Sequence, residues 1–294
     1  MHIHILGICG TFMGGIAQIA REAGHQVTGC DKNVYPPMSD ALRANGITIT
    51  EGYGAEQLAV APDLWVIGNA VSRGNPLLEA ILNAGLPYTS GPQWLSENIL
   101  TGKKARTVLA VAGTHGKTTT TTMATWFNRV AGGGGSAFLG GISKNFGSNL
   151  VLGPGPRLVV EADEFDRSFL QLHPDAAVVT AADADHLDIY GTHEAVKEAF
   201  AQFVAQIRPG GALIVKRGVE LDLRNPEISV YRYGYDGPCD FYADRIRVLD
   251  DGRYRFDLVF PDRRLEECTL GIPGRVNVEN CVAAAALLWV AGVD

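Results

Sequence analysis

The run Val108-Leu109-Ala110-Val111-Ala112 passes without a polar residue into Gly113-Thr114-His115-Gly116-Lys117-Thr118-Thr119. More than any other segment, it limits what this chain can fold into. An unbroken apolar run of this length belongs in a strand covered on both faces, the setting of a parallel sheet between helices. Gly113 and Gly116 let the backbone curl so that successive N–H groups face inward, and a helix opening at Lys117 adds the partial positive charge of its N-terminus. Such a turn suits phosphate. Lys117 is placed to reach the β- and γ-phosphates of a nucleotide, with the Thr118 hydroxyl on Mg²⁺. Val111 stands where the general Walker pattern has its first glycine, so the match is incomplete. The alternative is a plain strand–turn–helix whose lysine is solvated. The run Thr118 to Thr122 has poor helix propensity, which is tolerable where hydroxyls and N–H groups face a bound anion.

Two further strands end in acidic loops. Leu158-Val159-Val160 leads into Glu161-Ala162-Asp163-Glu164, and after a phosphate loop that is the expected place for a second Mg²⁺ ligand, Glu161. The strand at 176–180 leads into Asp183-Ala184-Asp185-His186. His186 reads as a second metal ligand or as a hydrogen-bond donor to a transferring phosphoryl group, against a purely structural role. It falls beside the other strand ends, where α/β sheets bind ligands.

The first hundred residues alternate strand-like and helical patterns, as in a parallel βαβ sheet. Strands are expected at 3–6, 26–29 and 64–67, and helices at 14–23, 40–45 and 75–83. Gly7-Ile8-Cys9-Gly10-Thr11-Phe12-Met13-Gly14 follows the first strand and opens a helix, which suits a nucleotide diphosphate. It is not GxGxxG, because Cys9 and Phe12 occupy two of the three glycine places. Asp31, ending the second strand, is a candidate acceptor for a ribose hydroxyl.

The polar segment 101–106 divides the chain into a Rossmann-like parallel-sheet domain, residues 1–105, and a P-loop-type α/β domain with additional β strands, residues 106–294. The second domain is expected to carry a helix at 194–207, a β-rich stretch through 212–215, 230–235, 243–248 and 254–260, and a last helix at about 277–290. A formal charge of −7 with both signs scattered argues against a nucleic-acid partner. The apolar stretch 281–293 is too short to span a bilayer. Five widely spaced cysteines without a CxxC pair, and no basic leader, fit a reducing cytoplasmic setting.

Gly132-Gly133-Gly134-Gly135 reads either as a surface loop after the phosphate-loop helix or as a junction between sequences of different origin. The choice bears on the likenesses that follow.

Taken together, these residues resemble the Mur ligases of peptidoglycan synthesis and recycling. HILGICGTFMGGIA from His4, DKNVYPPMSD from Asp31, GNAVSRGNP from Gly68, SGPQWL from Ser90 and LAVAGTHGKTTTTTM from Leu109 resemble the murein peptide ligase branch. SAFLGGISKNFGSNL from Ser136, VVEADEFDRSFL from Val159 and DADHLDIYGTHEAVKEAF from Asp183 look instead like the branch that adds L-alanine. The tetraglycine sits where the two likenesses meet, which makes a chimeric or designed chain one reading of it.

The resemblance implies an ATP- and Mg²⁺-dependent ligase. The lactyl carboxylate of UDP-N-acetylmuramate takes the γ-phosphoryl group, and an amine of L-alanine or of a peptide displaces phosphate from the acyl phosphate. It implies catalytic roles for Lys117, Glu161 and His186, with Thr118, Glu161 and His186 as metal ligands. It puts Gly113, Thr114, His115, Gly116, Lys117, Thr118 and Thr119 around the nucleotide. Gly7, Gly10, Thr11, Phe12, Met13, Asp31 and Asn69 would line the UDP-sugar site. Asn280 matches the family's adenine contact, while Val276 replaces a histidine common there. It also implies a third, C-terminal domain holding the acceptor, for which Asp294 comes too early. On that reading the chain binds its donor without completing the amide, as a non-catalytic UDP-sugar and ATP-binding fragment would. A nicotinamide oxidoreductase is the rival that the first domain alone suggests; the broken GxGxxG and the phosphate loop count against it. Acceptor and oligomeric state stay open.

Overall fold

A computed structural model of the chain describes residues 1–100, 106–164, 167–183 and 190–294. They fall into two compact units. The first holds the residues up to 100 together with 140–142 and 147–150, and the second holds the remainder from 106 onward.

The first unit is built on five parallel strands: β1 (His2–Leu6), β2 (Gln26–Asp31), β3 (Thr48–Glu51), β4 (Leu64–Ile67) and β5 (Tyr88–Ser90), in the order β3-β2-β1-β4-β5. Ile3, Ile5 and Leu6 of β1 and Val66 of β4 are fully buried, as central strands with helices on both faces require. The helix Thr11–Glu22 packs with Ile16, Ala17 and Ala20 buried. The helix Pro76–Asn83 has a local cause: Asn75 Oδ1 accepts the N–H groups of Leu77 and Leu78, and Pro76 takes the first turn, where no N–H is needed.

A ten-stranded sheet organises the second unit, with residues 140–142 and 148–150 of its strands counted in the first. Its strands are β6 (Thr107–Ala112), β7 (Ser136–Ser143), β8 (Ser148–Val151), β9 (Arg157–Glu161), β10 (Ala176–Val179), β11 (Ala212–Lys216), β12 (Ser229–Gly234), β13 (Phe241–Val248), β14 (Tyr254–Val259) and β15 (Arg264–Leu270). The order is β15-β14-β13-β12-β11-β10-β6-β9-β7-β8, parallel from β7 through β13 and antiparallel across β13, β14 and β15. All of Val108 to Ala112 is buried without exposure. The helix Arg275–Val290 is apolar on most sides because it packs against both the sheet and the helix Lys117–Val130.

The architecture is the α/β one expected from the sequence. The expected elements appear with ends shifted by a few residues, while β3, β5, β7, β8 and β15 were not anticipated. No helix among the described residues is long and apolar enough to cross a membrane. All five cysteines are free.

The tetraglycine is a tight turn from the helix Lys117–Val130 into β7. Gly132 and Gly134 have φ of +77° and +54°. A Cβ on Gly135 would lie 2.6 Å from the Arg157 carbonyl oxygen, and one on Gly155 would lie 2.0 Å from that of Gly133. Two glycine-containing loops therefore meet backbone to backbone, joined by Gly155 N–H donating to Gly134 O at 2.8 Å. This is a packed surface loop, with a reason for glycine at each place.

Candidate functional site

In the second unit, the ends of three adjacent strands meet at one edge of the sheet. Register pairs Val111 with Glu161 and Ala112 with Val179, so the turn after β6, the acids after β9 and the loop after β10 share that edge. Gly113 has φ of +129°, and a Cβ there would strike Thr180 Oγ1 and the Ala181 N–H nitrogen. Thr180 is the brace: its hydroxyl contacts the carbonyl oxygens of Ala112, at 3.2 Å, and His115, at 2.5 Å. The Thr114 N–H donates to Ala181 O, and Asp183 N–H to Thr114 Oγ1. His115 is exposed, with Nε2 3.8 Å from an Asp183 carboxylate oxygen.

Gly116 ends the turn at φ +81° and begins the helix without a side-chain acceptor for the first-turn N–H groups. That leaves the helix terminus built for an anion. A cavity of about 380 Å³ opens there, lined by Thr114, Gly116, Lys117, Thr118, Thr119, Glu161 and Asp163.

Lys117 is not the solvated lysine of a plain strand–turn–helix. Its side chain is 13% exposed, and its ammonium donates to both oxygens of Glu164, at 2.9 and 2.8 Å, with Asp163 at 3.7 Å. Glu164 is 1% exposed. Burial pushes its carboxyl above the usual range, and the Lys117 ammonium opposes that shift. The Thr118 hydroxyl donates to Glu161 Oε1 at 3.0 Å. One hydroxyl and one carboxylate thus converge beside the cavity. Among the described residues no group of three or more metal-binding side chains occurs. The Thr118 hydroxyl and the Glu161 carboxylate are donors of the kind Mg²⁺ takes beside waters and phosphate oxygens.

Thr118 and Thr119 line the cavity, while the later threonines turn their hydroxyls back to the helix. Thr121, Thr122 and Thr125 donate to the carbonyls of Lys117, Thr118 and Thr121, one helical turn back. Glu164 and Thr180 were not singled out in the sequence. A carboxylate three places after Glu161 was the available signal for the first. His186 lies outside the described residues.

Asn280, 6% exposed, sits beside Gly116 and donates from Nδ2 to Asn277 Oδ1 at 3.3 Å. Val276 is 58% exposed.

In the first unit the glycine turn follows β1, where the strand order reverses between β1 and β4. Gly7 has φ of +77°, and its N–H donates to Cys30 O. Gly10 precedes the helix that begins at Thr11 and supplies no side-chain cap to it. Asn69 is exposed just past β4. The side chain of Met13 is core, 5% exposed and packed close to Gly68 and Gly91, so only its main chain can serve a ligand. The Asp31 carboxylate accepts the N–H groups of Cys9, at 2.9 Å, and Asn33, at 3.1 Å. It braces the turn through the Cys9 N–H.

Fold and site together define an α/β protein with a strand, a glycine turn and a helix of phosphate-loop type on its larger sheet. The chain belongs to the Mur ligase family: residues 2–102 match the model of the Mur ligase family catalytic domain, and 111–288 match that of the Mur ligase middle domain. It is 46% identical, over all of its length and 66% of the relative's, to the UDP-N-acetylmuramate–L-alanyl-γ-D-glutamyl-meso-2,6-diaminoheptandioate ligase of Escherichia coli. It is 49% identical to the UDP-N-acetylmuramate–L-alanine ligase of Parabacteroides distasonis over 63% of the chain and 40% of that protein. The crystal structure of the UDP-N-acetylmuramate:L-alanyl-γ-D-glutamyl-meso-diaminopimelate ligase from Neisseria meningitides superposes with a TM-score of 0.89 at 38% identity, covering 100% of this chain and 94% of that one. The chain spans 65% and 66% of the length of two curated relatives that it matches from end to end.

Proposed function

We propose that this chain forms the donor- and nucleotide-binding part of an ATP-dependent ligase acting on UDP-N-acetylmuramate, with L-alanine or a peptide as acceptor. The observation that carries the reading is the convergence of Lys117, Thr118 and Glu161 on the cavity at the phosphate turn, in a chain whose relatives are named for this donor.

When bound, ATP with Mg²⁺ supplies the phosphoryl group that activates a carboxylate. The turn from Gly113 to Thr119 holds phosphates with main-chain N–H groups, and Lys117 adds charge. Thr118 and Glu161 are the metal's protein ligands, and Asn280 takes the adenine. His186, by resemblance alone, serves a second metal ion. Gly7, Gly10, Thr11, Phe12 and Asn69, with the Met13 main chain, hold the UDP-sugar at the turn that Asp31 braces. Catalysis on this reading is positioning and neutralisation of charge, with little covalent work for the protein. The setting is cytoplasmic, where the nucleotide partners are found.

Calorimetric titration with UDP-N-acetylmuramate, with MgADP and with NADH tests the reading. Binding of the first two without the third is expected. A folded chain that binds no UDP-N-acetylmuramate would overturn it.

A further inference from the structure

Lys117 makes its shortest polar contacts to a residue outside the set that the phosphate-loop pattern marks. Both oxygens of Glu164 lie within hydrogen-bond distance of its ammonium. An ammonium has three N–H donors, so this clasp engages two of them. The carboxylate is fixed where it is. Its own residue's carbonyl accepts the Arg167 N–H at 3.0 Å and the Tyr190 hydroxyl, and the neighbouring Asp163 carbonyl accepts from Phe169 N–H and Ser168 Oγ, both at 3.2 Å. Arg167 takes a left-handed φ of +60° where the chain leaves this bend. Glu164 is thus a buried charge on pinned backbone, facing a lysine on a flexible four-carbon stem. Asp163, by contrast, has its side chain 57% exposed and stands 3.7 Å away.

We propose that Glu164 is a positioning residue for Lys117, fixing the ammonium beside the cavity and competing with the phosphates of a bound nucleotide for its charge. The inference rests on the nucleotide reading above and deepens it. Two effects oppose one another. The clasp keeps a long side chain from sampling other rotamers, which favours a ligand. The carboxylate also offsets the lysine's charge and repels a polyphosphate. Between side chains as buried as those of Lys117 and Glu164, 13% and 1% exposed, the second effect is the larger, because two unit charges a few ångströms apart interact far more strongly there than in bulk solvent. Glu164 therefore holds ground-state affinity down while holding Lys117 in place.

The test is calorimetry of MgADP binding to the whole chain and three variants, with thermal melting to confirm that each is folded. Glu164→Gln keeps the shape and removes the charge, and should tighten MgADP binding by about five-fold or more. Asp251→Asn, at an exposed carboxylate outside the cavity's lining, should change it by less than about two-fold because solvent screens that charge. Unchanged or weaker binding by Glu164→Gln overturns the proposal, as does equal tightening by both variants. A merely structural Glu164 could only weaken binding. Should Glu164→Gln not fold, Glu164→Asp withdraws the carboxylate by one methylene and should tighten binding about two-fold; no tightening overturns the proposal. Failure of the unaltered chain to bind MgADP would be a different result, counting against the nucleotide site itself.

Discussion

A side-chain carbon placed on Gly116 would come within 2.7 Å of the amide oxygen of Asn280. The end of the phosphate turn and the inner side of the last helix are therefore in contact, and the turn can close only because no side chain stands there. Gly116 also has φ of +81°. Gly116→Ala should lower stability by about 1–2 kcal/mol for the left-handed backbone alone and should weaken MgADP binding. Adding Asn280→Ala should recover part of that stability by emptying the contact. Strictly additive effects in urea denaturation would show that the two positions are not coupled.

The glycine turn at 132–135 makes an equally local prediction. A Cβ on Gly135 would sit 2.6 Å from the Arg157 carbonyl, and one on Gly133 would sit 2.7 Å from that of Asn128. Backbone cannot step aside as a side chain can. Gly133→Ala and Gly135→Ala should each cost about 1–3 kcal/mol, the usual penalty of overpacking. Gly271→Ala is the control, since nothing lies within 4 Å of its Cβ position and its φ is not positive. Equal urea midpoints for all three would return the tetraglycine to being a flexible joint.

Much of this fold can be read in the sequence where one force dominates. Val108 to Ala112 is apolar throughout because β10 and β9 flank it and each of these residues is fully buried, so its pattern could mean little else. The missed strands are those where burial is partial. In β15, Arg264, Leu265, Glu266 and Glu267 are all exposed on the sheet's edge, so no apolar alternation marks it. In β7 a buried run from Ser136 to Leu139 continues into Gly140 and Gly141, which read as a turn. At the site, Lys117 and Thr118 follow from spacing along the turn. Glu164 and Thr180 do not, because their partners lie far off in the chain, on the helix that begins at Lys117 and on the end of β6 with its turn, and only the fold brings them together. The contact of Asp31 to the Cys9 N–H likewise depends on how two strand ends face each other.

His4 gives the first unit a pH dependence. It is 1% exposed in β1, its Nδ1 lies 2.8 Å from Thr28 Oγ1, and its Nε2 has no hydrogen-bond partner. Burial, with the nearby charge of His2 second, lowers its pKa from 6.5 to about 4. The unfolded chain therefore binds a proton that the folded one refuses. Stability attributable to His4 is present above pH 6.5 and is lost as pH falls towards 4. The loss should approach about 3 kcal/mol, at 1.36 kcal/mol per unit. His4→Phe should flatten the urea-denaturation profile over that interval. An unaltered slope would assign the dependence to other groups.

Lys117→Ala should do more than remove a phosphate contact, and its stability effect should depend on pH in a particular direction. A solvated lysine could be replaced at little cost. Lys117 is instead the partner of a carboxylate that is 1% exposed. Removing it strands that charge, and breaking one side of a buried pair costs about 3 kcal/mol or more. Glu164 can escape by taking up a proton. Burial already raises its pKa above 4.5, and loss of the opposing ammonium raises it further. For a raised carboxyl, the proton-linked stability is present below the unfolded value and disappears as pH rises through the folded one. The deficit of Lys117→Ala against the unaltered chain should therefore be small near pH 4.5 and grow towards neutrality. MgADP binding should be lost wherever the parent binds. The double variant Lys117→Ala, Glu164→Gln should regain stability at pH 7 and lose the slope, since a neutral amide has no charge to strand. If urea denaturation gives Lys117→Ala the same deficit at pH 5 and pH 8, the lysine does not serve as counter-charge to Glu164, and the ion pair contributes nothing to holding the acidic loop after β9.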